Sequence, residues 1–191
     1  MKKSFIFTII TATLLIYLPY LAADDNERVT PVKNEQYKEE CGSCHFAYQP
    51  SLLPSRSWQQ LMAQLEDHFG ENAELEANTQ KTLTDYLVNH SANFSPDRLA
   101  VNLMRRLAKN KTPLRITEMP YLKHEHNKIP KKMVTGNAEV KSLSYCDKCH
   151  TQAESGSYLE KDIRIPGYGR WEEKEKGEKR EEGEEREKDD D

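Results

Sequence analysis

The sequence predicts a mainly α protein of short helices and irregular connections, with little or no sheet, arranged as two small modules. Three observations lead there. Apolar residues recur at helical spacing in three stretches between Trp58 and Leu107. Prolines and glycines interrupt the chain around and beyond those stretches. The unit Cys-x-x-Cys-His occurs twice, at Cys41-Gly-Ser-Cys44-His45 and at Cys146-Asp-Lys-Cys149-His150, so each half of the central region holds one copy.

The two ends stand apart from that fold. Residues 1–23 open with Lys2 and Lys3, run through an apolar stretch to Leu18, and reach Pro19, Ala22 and Ala23, the pattern of a secretory signal peptide. The competing reading is an uncleaved membrane anchor, because residues 4–23 are 20 in number and carry no charge. Pro19 and the alanine pair favour cleavage. Residues 172–191 hold 12 acidic and 6 basic side chains, two glycines and nothing apolar. Such a segment has nothing to bury against the entropy of ordering and is expected to be a disordered charged tail. An acidic docking arm is its functional alternative.

Between the ends, residues 24–171 carry 20 basic and 20 acidic side chains. That balance offers no electrostatic footprint for nucleic acid and no basic membrane patch. The region is also modestly apolar for a chain that folds alone, and a large apolar cofactor would supply the missing buried surface.

The elements follow in order. Ser57-Trp58-Gln59-Gln60 reads as a capping box, with Ser57 as N-cap. Trp58, Leu61, Met62, Leu65 and Phe69 then share one helical face, and Gly70 is the expected stop. A second helix is expected over 79–90, with Leu83, Tyr86 and Leu87 on one side. A third starts with Ser95 as N-cap and Pro96 at N1, carries Leu99, Leu103, Met104 and Leu107, and is broken by Thr112-Pro113. Residues 114–133 contain Pro120 and Pro130 and read as largely irregular, and Ile163 to Gly169 reads as a closing loop. The modules are placed at 24–111 and 112–171.

Cys-x-x-Cys-His is the attachment motif of haem c. Two thiols three positions apart can each add to one vinyl group of the same porphyrin, and the adjacent histidine then reaches the iron as proximal ligand. Paired disulfides, a thioredoxin-like exchange motif or a four-thiolate zinc site would each use the same cysteines. None of them explains a histidine directly after both pairs. All four cysteines are consumed by the motifs. The sequence therefore predicts two covalent haems, on Cys41 and Cys44 with His45 as ligand, and on Cys146 and Cys149 with His150 as ligand.

The sixth iron positions decide function, since an open iron binds small molecules and a closed one carries electrons. Four histidines remain for them: His68, His90, His124 and His126. His68 and His90 both lie in line with apolar helical faces, and periodicity does not separate them from packed core histidines. His124 and His126, two apart, would share a side of an extended segment. Met62, Met104, Met119 and Met133 are alternative ligands, with packing as their plainer role.

The ordered series of local sequences resembles the dihaem cytochromes c of the DHC type, found in bacterial periplasms. It runs from the first haem motif through Leu52-Leu53-Pro54, Ser57-Trp58, His68-Phe69-Gly70-Glu71-Asn72-Ala73 and Arg115-Ile116-Thr117-Glu118-x-Pro120-Tyr121. His126, the second haem motif and Arg164-Ile165-Pro166 complete it. The resemblance implies a largely helical two-domain protein whose two haems are each ligated by two histidines. Carried over by position, it implies His68 for the first haem and His126 for the second, with a crossed arrangement still open. It also implies electron exchange with a small monohaem cytochrome c and a membrane cytochrome b. The expected function is thus electron transfer in the periplasm rather than enzymatic turnover, with no nucleic-acid partner. The membrane would enter only through a redox partner or an uncleaved N-terminal segment. The alternatives are a peroxidase-like dihaem enzyme and a haem-based sensor, either of which needs one labile axial ligand.

Overall fold

The computed structural model describes residues 27–171. The segment expected to be a signal peptide, residues 1–23, and the expected charged tail, residues 172–191, lie outside the described residues. No helix among the described residues is long and apolar enough to cross a membrane.

The order of elements is α1 (Glu35–Gly42), α2 (Ser55–Met62), α3 (Ala77–Asn89), α4 (Arg98–Arg106) and α5 (Pro120–Glu125), followed by two-residue strands β1 (Arg164–Ile165) and β2 (Gly169–Arg170). Short 3₁₀ turns fill several of the connections. The strands pair antiparallel, Arg164 with Arg170 and Ile165 with Gly169, and turn the expected closing loop into a minimal hairpin. The mainly α class holds.

α1 is capped by Asn34, whose side chain accepts from the Tyr37 N–H. α2 differs from expectation at both ends. It begins at Ser55, and Ser57 is a buried residue inside its first turn rather than the N-cap. The reason is tertiary: Asn93, from beyond α3, accepts the Ser55 N–H at 2.8 Å and caps the helix from outside it. α2 then stops at Met62, well short of Phe69. The Met62 carbonyl is taken by the Gln80 side chain of α3, which replaces a further helical turn as the satisfier of a terminal acceptor.

α3 lies where the sequence places it, with Leu83 and Leu87 buried and the Glu76 carboxylate accepting from the N–H groups of Asn78 and Thr79. α4 starts after Asp97 rather than after Ser95. The Asp97 carboxylate is occupied by the Thr30 N–H at 2.8 Å and the Ser95 hydroxyl at 2.9 Å, which fold the chain before the helix into a turn. Leu99, Ala100 and Leu103 form its buried face. Residues 114–133 are more ordered than the sequence suggests. A 3₁₀ turn at Ile116–Glu118 leads into α5, which Pro120 opens at N1.

One core runs through α1 to α4 and the turn that leads into α5, built on Tyr37, Leu52, Leu53, Trp58, Met62, Leu83, Leu87, Leu103 and Met119 with their neighbours. The two halves of the chain are tied together along it. The Val29 N–H donates to the Gly156 carbonyl at 2.8 Å, and the Tyr158 N–H donates to the Glu27 carbonyl at 2.9 Å. Gly156 at φ +76° permits this, because a Cβ there would stand 2.0 Å from the Val29 oxygen.

Candidate metal centres

Cys41 occupies the last turn of α1, and Cys44 and His45 follow in the turn that ends it. Cys146 opens a 3₁₀ turn, and the His150 N–H donates to the Cys146 carbonyl at 2.8 Å, closing one α-like turn around the second motif. In the second motif both thiols and the histidine line one cavity. All four cysteines are free of disulfides. Among the described residues, no group of three or more His, Cys, Asp or Glu side chains could hold a lone metal ion, so the two pairs do not build a shared zinc site.

The remaining histidines divide sharply. His68 comes to the first motif: its ring centroid lies 6.2 Å from that of His45, with the planes 21° apart. His126 comes to the second: its ring centroid lies 6.1 Å from that of His150, with the planes at 66°. Aromatic rings also pack at this distance, so the meaning of the gap lies in which residues it joins. The gap matches two metal–imidazole bonds of about 2 Å each plus the half-widths of the rings. His90 is exposed at the end of α3, with Nδ1 on the Tyr86 carbonyl at 2.8 Å and its ring on that of Tyr86 at 4.5 Å. His124 is exposed on α5. Neither of these two is paired in this way with a motif histidine.

His68 is presented by a tight turn and not by the helix expected from periodicity. The His68 N–H donates to the Glu71 carbonyl at 2.8 Å, and Phe69 and Gly70 both take positive φ, +60° and +97°. Two successive positive φ values are what a type I′ turn requires. Gly70 accepts this freely, whereas Phe69 is strained there and is held by Arg115, whose guanidinium lies 3.8 Å over its ring. His126 is the residue that ends α5, and its Nδ1 meets the Leu122 carbonyl at 2.8 Å. His45 Nδ1 meets the Phe46 carbonyl at 2.7 Å. An imidazole whose Nδ1 carries its proton to a carbonyl presents Nε2 as the free ligand atom.

Around the second pair lies a cavity of about 420 Å³. Cys146, Cys149, His150 and His126 line it, together with apolar side chains that include Ile116, Leu122, Val140, Ile163 and Trp171. A second cavity of about 360 Å³ beside His68 is lined by Leu61, Leu114, Arg115 and Phe69, among others. Burial, with the nearby His126, pushes His150 down to about 4, and burial with His45 and Arg115 lowers His68, both in the direction that favours the neutral imidazole a ligand needs. Burial raises the Cys41 thiol to about 11 and the Cys146 thiol to about 12. Such surroundings suit thioether sulfur better than thiolate. At the second centre, His126 opposite His150, the Cys146 and Cys149 thiols and the apolar lining of the cavity fit haem c.

The methionines sit differently. Met62 and Met119 are buried in the core, Met104 packs against it, and Met133 lines the second cavity. Sequence reasoning did not single out Tyr48, Gln49, Tyr158 and Arg115 as site residues. Tyr48 stacks on His45 with centroids 5.1 Å apart, and Tyr158 meets His150 edge-on at 5.2 Å. No local pattern marks such contacts. For α5 a signal did exist, since Pro120 is a natural N1 residue.

The sequence pattern of the family described as dihaem cytochrome c matches residues 37–158. The chain is similar to the crystal structure of a dihaem cytochrome c from Shewanella baltica, with 39% identity over 73% of this chain and 98% of that one and a TM-score of 0.61. It is also similar to the dihaem cytochrome c from Rhodobacter sphaeroides, with 37% identity over 68% of this chain and 100% of that one, again at a TM-score of 0.61. No curated protein matches the chain.

Proposed function

The chain belongs to the dihaem cytochrome c family, and on that premise we propose that it is an electron carrier whose two covalent haems c are each closed by two histidines. Cys41 and Cys44 hold one haem and Cys146 and Cys149 the other. When bound, each haem supplies the one-electron ferric–ferrous couple. The observation that carries the proposal is the pairing of His45 with His68 and of His126 with His150 at ring separations of 6.2 and 6.1 Å.

The chain's own residues set what those couples do. The carbonyls of Phe46 and Leu122 hold the protons of His45 and His126 at Nδ1. The type I′ turn holds His68 and the end of α5 holds His126, so neither ligand is free to swing away. Closed irons leave no position for a substrate, which favours transfer over peroxidase or sensor chemistry. Two-histidine ligation also puts both potentials well below those of His/Met sites. The carrier works in the periplasm, exported through residues 1–23, with a small monohaem cytochrome c and a membrane cytochrome b as its partners by analogy.

The test is a spectroscopic titration of the purified protein with haem counted per chain. Two low-spin haems at low potential with poor carbon monoxide binding are expected. A sulfur-to-iron charge-transfer band, or ready carbon monoxide binding to the wild-type ferrous protein, overturns two-histidine ligation.

A further inference from the structure

His150 is the odd one among the motif histidines. His45 has a carbonyl acceptor on Nδ1, whereas His150 Nδ1 is buried with no hydrogen-bond partner. A ligating imidazole is ordinarily oriented by a hydrogen bond from its second nitrogen. What touches the His150 ring instead is Tyr158, edge-on at 65° with centroids 5.2 Å apart. In a tilted arrangement an aromatic face can take the place of a conventional acceptor, and the contact fixes the plane of the imidazole.

Tyr158 is itself fixed. Its hydroxyl donates to Gln49 Oε1, and Gln49 Nε2 donates to the Ala153 carbonyl at 2.6 Å. Gln49 is 0% exposed, so this amide is a buried polar group with a partner on each of its two polar atoms. Gln49 adjoins Tyr48, whose ring stacks on His45 and whose hydroxyl donates to the Ser144 carbonyl at 2.6 Å, two residues before Cys146. The dipeptide Tyr48-Gln49 therefore touches the proximal histidine of one centre and anchors the ring that contacts the proximal histidine of the other.

We propose that Tyr158 is the positioning residue of His150, and that its anchor Gln49 makes the geometry of the second centre depend on the segment that carries the first. This rests on the reading that His150 ligates the second iron. The bridge runs through side chains far apart in sequence, so it exists only in the folded chain.

The experiment uses full-length protein matured with both haems. Electron paramagnetic resonance of the ferric state reports ligand-plane orientation, redox titration reports potential, and the lines of the second haem are those that His126→Ala abolishes. Tyr158→Leu is expected to shift the low-spin lines and the potential of the second haem and to leave the first haem unchanged. Tyr158→Phe keeps the ring and is expected to restore the line positions most of the way. Gln49→Leu is expected to give the second haem the same small residual shift as Tyr158→Phe and to add nothing on Tyr158→Phe, since both remove one link. A Tyr158→Leu protein with two haems and unaltered second-haem lines and potential overturns the positioning role. Additive shifts in the Gln49–Tyr158 cycle overturn the link to the first segment. If Tyr158→Leu fails to fold, the cycle alone decides. A wild type lacking low-spin two-histidine signals would overturn ligation itself, an outcome separate from either.

Discussion

The rings of His45 and His68 face each other at 6.2 Å with their planes only 21° apart, whereas His90, equally well placed by helical periodicity, lies against Tyr86 at 4.5 Å. The same separation of roles holds in the other half, where His126 meets His150 and His124 stays exposed.

Single replacements therefore have distinct consequences. His68→Ala should open one ferrous haem to carbon monoxide and leave the other spectrum unchanged, and His126→Ala should open the other. His90→Ala and His124→Ala should open neither. Carbon monoxide difference spectra check all four, and an opened haem in His90→Ala without one in His68→Ala would sink the assignment. Both haems stay attached throughout, because the cysteines are untouched.

The contact between the chain's two halves predicts a ranking among glycines. Gly156→Ala meets the Val29 carbonyl and a positive φ together, whereas Gly167→Ala meets only a positive φ of +75° with open space around it. The left-handed conformation alone costs roughly 1–2 kcal/mol. Gly156→Ala should cost clearly more than Gly167→Ala in denaturant midpoint. It should also speed amide exchange at Val29, whose N–H loses the Gly156 carbonyl. Equal midpoints for the two variants would contradict the strap.

Alkaline pH should weaken the fold. Burial raises the phenols of Tyr37 and Tyr158 well above their ordinary value of 10.0 and also raises Tyr48. Above pH about 10 the unfolded chain releases these protons while the folded chain keeps them. Stability is thus fully present below that pH and is lost as pH rises toward the folded-state values. Denaturation midpoints measured from pH 8 to 12 should fall, with the buried phenols' share of the tyrosinate absorbance appearing only as the chain unfolds. Tyr37→Phe should flatten the fall, and an unchanged slope in that variant would refute the cause.

Core packing gives a last contrast. Leu83 and Leu103 are both 0% exposed, while Val101 on the outer face of α4 is half exposed. Leu83→Ala and Leu103→Ala should each cost about 2–5 kcal/mol, and Val101→Ala within about 0.5 kcal/mol. Guanidinium unfolding followed by far-ultraviolet dichroism measures this, and a Val101→Ala cost rivalling the leucines would mean that α4 is turned.

Much of this protein is written locally in its chain. Each Cys-x-x-Cys-His unit is contained in five consecutive residues, so the haem attachment motif is complete in one local stretch of chain. The body of α3 is equally local, since its apolar face and its two ends lie within one uninterrupted periodic stretch. Where elements depend on partners distant in sequence, the local signal misleads. Ser57 has the look of an N-cap, yet Asn93 supplies the cap two residues earlier. The apolar spacing continues to Phe69, yet Gln80 closes α2 at Met62 and frees the chain to make the turn that presents His68. Periodicity could not choose between His68 and His90, because both face inward along an ideal helix and only the packing of α2 on α3 sets which one meets His45. The contacts of Tyr48 and Tyr158 with the two proximal histidines left no trace in spacing or composition. They arise where residues near 48 and near 158 pack together, and a buried hydrogen-bond network of that kind is decided by tertiary structure alone.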